Sequence, residues 1–165
     1  MRTHTWLWVL CVASLVMWPG TRAAAQHVDP PKGLTARIPV YVTTVEGGTS
    51  PAEFMQPGTD PKALADSVND IQDALTAKGR WVRLVPDREA AVIGIRVTRR
   101  TYDDGPEVMS VYTDVMVGAY TIQITGAGDP WRDAARSVVR QLDEWVALNY
   151  SRLRDRAPAQ LSSRH

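Results

Sequence analysis

Of 165 residues one is cysteine, one phenylalanine and three histidine. A single cysteine excludes an internal disulfide, and so few sulfur and imidazole ligands argue against a zinc or copper cluster. Lys and Arg total 19 against 18 for Asp and Glu. No excess of either sign therefore points to nucleic acid or acidic lipid. What is present suffices for a core. The chain is 44% hydrophobic and 22% charged, the balance of an ordinary globular protein, and its length fits one domain.

The first residues read as an address. Arg2 precedes a charge-free apolar run from Trp6 to Trp18, Pro19-Gly20 breaks it, and Ala23-Ala24-Ala25 follow. Basic start, apolar middle and small-residue end compose a secretory signal peptide over residues 1–25, with cleavage after Ala25. The competing reading, a retained membrane anchor, needs about 20 apolar residues. Cys11 follows Leu10 inside the run, so it reads as filler and not as a lipid-attachment site. Cleavage removes Arg2 and Arg22, leaving 17 basic residues against 18 acidic and no cysteine. The expected location is periplasmic or extracellular, with no membrane span remaining.

Residues 26–36 hold Pro30-Pro31 and Gly33 and read as a flexible leader; residues 154–165 read as a disordered tail. Residues 37–153 read as a single domain. Ile38–Thr44 alternates as a first strand, with Pro39 favouring an edge or a strand start. Residues 45–59 form a long loop. Asp60-Pro61 then caps a helix whose stripe is Leu64, Val68, Ile71 and Leu75, ended by Gly79 in a left-handed conformation. Trp81–Val85 and Ala91–Thr98 are strands, and Asp104-Gly105-Pro106 is a turn. Ser110–Val117 and Tyr120–Thr125 form a hairpin around Gly118-Ala119. Asp129-Pro130 caps a second helix with the stripe Trp131, Ala135, Val138, Leu142 and Trp145, ending near Leu153. The order β-α-β-β-β-β-α predicts an α+β two-layer sandwich, a mostly antiparallel sheet of four to five strands with two helices on one face. One parallel pair is expected, from the first strand-helix-strand unit.

Lys78-Gly79-Arg80-Trp81-Val82-Arg83-Leu84-Val85, followed by Arg88-Glu89-Ala90-Ala91 and the strand to Val97, resembles a pattern in small exported bacterial domains. There a helix ends at glycine, a strand follows, and an acidic turn leads into a long strand. The segment from Asp60 to Val97 is more distantly similar to the TolB N-terminal and CsgG-like envelope modules. Ala91 stands where that turn usually carries Asp. The resemblance implies a fold and an envelope location, and no catalytic residues.

Chemistry is sparse. His27 and His165 fall in the two ends, and Asp103, Asp104 and Glu107 lack the alternating ligands of a calcium loop. The chain has no G-x-S-x-G, S-x-x-K, phosphate loop or dinucleotide fingerprint. No catalytic residue, metal or cofactor is expected. Two surfaces draw attention instead. Asp66, Asp70 and Asp73 on the first helix and Arg132, Arg136 and Arg140 on the second are expected to approach each other, with Arg136–Asp133 and Arg140–Glu144 pairing along the second helix. Alternation also sends Tyr41, Trp81, Arg83, Arg96, Tyr112 and Asp114 to the sheet face away from the helices. Arginine and aromatic side chains are what binding hot spots use. The expected function is thus a non-enzymatic exported envelope domain that binds a protein or envelope component, with no nucleic acid, through that face. The alternatives are a small hydrolase with an unidentified carboxylate site, and a structural homodimer.

Overall fold

The computed structural model describes residues 29–44, 58–103 and 108–156. The expected signal peptide, most of the 45–59 loop, the 104–107 turn and the tail from 157 onward lie outside the described residues. Seven main elements follow in the expected order: β1 (Ile38–Thr44), α1 (Pro61–Lys78), β2 (Val82–Leu84), β3 (Ile93–Asp103), β4 (Val108–Val117), β5 (Tyr120–Gly128) and α2 (Trp131–Arg154). Short 3-10 turns at Leu34–Ala36 and Arg88–Ala90 flank β1 and lead into β3. The leader's last residues are therefore structured.

The five strands form one sheet in the order β2-β1-β3-β4-β5. β1 runs parallel to both β2 and β3, whereas β3, β4 and β5 form an antiparallel meander. Two parallel pairs thus replace the single one expected. The second arises because the link from β2 to β3 hops across β1: the Val85 N–H donates to the Val40 carbonyl on one side, and the Val92 N–H donates to the Pro39 carbonyl on the other. β1 is accordingly an interior strand, not an edge. Pro39 is tolerated because its missing N–H points toward β3 ahead of that strand's start at Ile93, which pairs with Val40.

Both helices lie on one face of the sheet and pack on each other. α1 starts as its sequence dictates, with Asp60 Oδ2 accepting the Ala63 N–H at 2.8 Å and Pro61 in the first turn. Leu64, Ile71, Ala74 and Leu75 are buried, with Val68 packed beside them. Gly79 ends α1, but with φ −61° and ψ 116° it is extended and not left-handed. Crowding explains the glycine: a Cβ there would sit 2.6 Å from the Leu75 carbonyl oxygen. α2 lacks the expected Asp129 cap. Pro130 occupies the cap position, one residue later, and its carbonyl accepts the Asp133 N–H. Ala134, Ala135, Val138, Val139, Leu142 and Val146 bury the inner side of α2. They close one core with Val40, Ile71, Ile95 and Val115.

The helix charges meet where expected at one point, with Arg132 Nε 3.7 Å from Asp70 Oδ1. Arg136–Asp133 and Arg140–Glu144 pair along α2 at 2.5 and 3.0 Å. Asp66 turns instead toward Arg100, at 3.9 Å.

Candidate functional site

Alternation along β3, β4 and β5 sets the outer sheet face. Ile93, Ile95 and Val97 are buried toward the helices, so Gly94 and Arg96 point away. Val111, Thr113, Val115 and Val117 are buried on the same inner side of β4, which turns Tyr112 and Asp114 outward. Cross-strand pairing then places Arg96, Asp114 and Gln123 in one row and Arg99, Tyr112 and Thr125 in the next.

In the first row the Arg96 guanidinium donates to Asp114 Oδ2 at 2.6 Å, and Gln123 Nε2 lies 3.5 Å from Asp114 Oδ1. Asp114 is only 9% exposed, so this charge-assisted bond works in partly excluded water and holds the arginine flat on the sheet. The same packing seals Arg96 Nε away from solvent with no acceptor. In the second row the Arg99 guanidinium lies 3.9 Å above the Tyr112 ring centre, a stacked cation–π pair. Thr59, Thr98, Arg99, Tyr112, Thr113, Gln123 and Thr125 line an open depression of about 340 Å³.

The six residues expected on this face separate. Arg96, Tyr112 and Asp114 lie together. Tyr41 shares the face beside Gly94 of β3, and Arg83 stands on β2 beside Pro39, where the 85–92 link crosses. That link crosses β1 opposite α1 and leaves Pro39 buried. Trp81 does not belong to the face at all. It precedes β2, is 6% exposed, and meets Tyr150 of α2 edge to ring at 5.2 Å. Alternation counted from Val82 fails there because Trp81 lies outside the pleated strand.

Sequence reasoning missed three residues. Arg99 reaches the outer face because a β-bulge between Val97 and Arg99 shifts the register by one residue. The same shift turns Arg100 inward. There its guanidinium donates to the Ala63 carbonyl at 3.0 Å and lies 4.0 Å from the Trp131 ring centre. The signal was present as the polar run Thr98-Arg99-Arg100 after a strict alternation. Asp143 is the third. Nearly buried on α2, it accepts the Arg80 and Trp81 N–H groups at 2.8 and 3.0 Å. No motif marks it, since its partners are backbone groups 62 and 63 residues away.

Among the described residues no group of three or more His, Cys, Asp or Glu side chains is placed to hold a metal ion. No helix among them is long and apolar enough to cross a membrane.

No protein-family profile matches the chain, and no curated protein matches it. Among solved structures it is similar to a ribosomal subunit interface protein from Coxiella burnetii. The identity is 14%, over 69% of this chain and 99% of that one, with a TM-score of 0.34.

Proposed function

We propose that the chain is an exported, non-enzymatic domain of the cell envelope that holds a protein or envelope component against the outer face of β3, β4 and β5. Export rests on the basic, apolar and small-residue sequence of residues 1–25. The envelope assignment also draws on the resemblance of Asp60–Val97 to TolB N-terminal and CsgG-like modules. One observation carries the binding half: both helices cover the same side of the sheet, while the other side presents fixed arginine and tyrosine groups.

Those groups suit recognition better than chemistry. Arg96 is locked by Asp114 and Arg99 is stacked on Tyr112. A partner meeting them has little side-chain freedom left to remove, and that lowers the entropy cost of association. The carboxylate at hand, Asp114, is already engaged by Arg96 and Gln123, which removes the free acid or base a hydrolase would use there.

Cross-linked capture from envelope extracts tests the reading. Arg99→Ala and Tyr112→Ala each weaken capture of the same partner by tenfold or more, whereas Arg140→Ala on α2 leaves it unchanged. Equal capture by all three variants would remove the outer face as the binding surface.

A further inference from the structure

β5 is an edge of the sheet, and its defences are few. Edge strands are ordinarily protected by charge, proline or a bulge. From Met116 to Gly128 the chain has no charged residue and no proline, and the β4–β5 register runs without a shift. The two-residue turn closes on the pair Val117–Tyr120. Hydrogen-bonded pairs alternate from there, so Thr121, Gln123, Thr125 and Ala127 direct their backbone groups to the open edge. Gln141 of α2 donates to the Thr125 carbonyl at 2.8 Å. Among the described residues, no partner is found for the backbone groups of Thr121 and Gln123, which leaves them open to a partner strand.

An apolar strip runs beside this open stretch. α2 runs back along β5. With rises of about 1.5 Å per helical residue and 3.3 Å per strand residue, Gln141 beside Thr125 sets Leu148 level with Ile122. The same scale sets Arg156 near Gly118, where its Nη1 is indeed found. Seven residues are nearly two helical turns, so Leu148 projects on the same side as Gln141, over the edge. Leu148 is 79% exposed and Tyr120 is 70% exposed.

From this geometry we infer that β5 pairs with β5 of a second copy of the chain, antiparallel about a two-fold axis at Ile122. The edge is complementary to itself in that register. Thr121 and Gln123 exchange backbone hydrogen bonds with Gln123 and Thr121 of the other copy. Ile122 faces Ile122, Tyr120 faces Ile124, and the two Leu148 side chains meet near the axis. Aromatic and β-branched cross-strand pairs are favourable, and no like charges oppose one another. The Gln141–Thr125 bond is kept, since Thr125 falls opposite Ala119 in the turn. The result is a continuous ten-stranded sheet with both outer faces on the same side, which presents two copies of the candidate site to one partner. The contact is small, so a dissociation constant on the order of 10–100 µM is expected.

Sedimentation and light scattering of the chain recovered from expressing cells, across a dilution series, test this. The mass falls from two chains to one through that range. Leu148→Glu, at an exposed position, raises the midpoint at least tenfold. Thr121→Lys with Gln123→Lys does the same by opposing lysines, whereas Thr121→Glu with Gln123→Lys retains the dimer through crossed ion pairs. Circular dichroism verifies that each variant is folded; Leu148→Glu decides the matter should the paired substitutions misfold. A single-chain mass throughout, a dimer indifferent to Leu148→Glu, or growth beyond two chains overturns the inference.

Discussion

Asp143 shows how much of the architecture hangs on single buried groups. Its carboxylate takes two backbone N–H donors from the 80–81 segment. Nearby, Arg37 donates to the Gly79 carbonyl at 3.0 Å and the Tyr150 hydroxyl to the Ala36 carbonyl at 2.6 Å. These bonds tie the entry to β1, the end of α1 and the middle of α2 together around Trp81. Asp143→Ala leaves two donors without an acceptor and is expected to cost about 2–4 kcal/mol, with Asp143→Asn intermediate because one acceptor survives. Urea denaturation measures both. Trp81→Ala should cost about 3–5 kcal/mol, as for a large core side chain. This is why Trp81 probes folding and not partner binding: a variant that lost capture with no loss of stability would contradict the packing described.

Between β5 and α2, backbone approach and not side-chain packing sets the spacing. A Cβ at Gly126 would lie 2.1 Å from the Ala134 carbonyl oxygen. Gly126→Ala therefore forces the helix off the sheet, with an expected loss of about 1–3 kcal/mol in denaturant unfolding. In β3 the bulge makes Thr98 the extra residue. Deleting Thr98 restores alternation and keeps Arg99 beside Tyr112 and Arg100 beside Trp131, so the domain still folds, at a cost of about 1–2 kcal/mol. Deleting Arg100 removes the bond to Ala63 and the stacking on Trp131, and is expected to be far more damaging. Equal damage from the two deletions would refute the bulge.

The elements whose signals are local were legible in the sequence. Asp60-Pro61 marked the start of α1, Gly118 with φ +59° supplied the left-handed turn of the β4–β5 hairpin, and the apolar stripes marked the buried helix sides. Whatever depends on distant neighbours was not legible. Interior placement of β1 follows from the β2–β3 link crossing it, and Trp81 is buried by α2, far along the chain. The outward Arg99 depends on one unpaired residue, which alternation alone does not foresee.

On the scale of the molecule, the described residues form a single-layer sheet with both helices on one side. The core excludes water there, and the far side of β3, β4 and β5 carries Arg96, Arg99 and Tyr112 among threonines and glutamine. The expected binding role requires that this far side be reachable. A chain with Cys11 as its only cysteine allows that to be measured. In a Cys11→Ser background, Gln123→Cys and Val115→Cys place one thiol on each side of the sheet, and maleimide labelling reads their access. Gln123→Cys is expected to react at the rate of a free thiol, while Val115→Cys, at a position 1% exposed, reacts only through unfolding. Equal protection of both thiols would show a layer covering each side of the sheet and would rule out an open outer face as the binding surface.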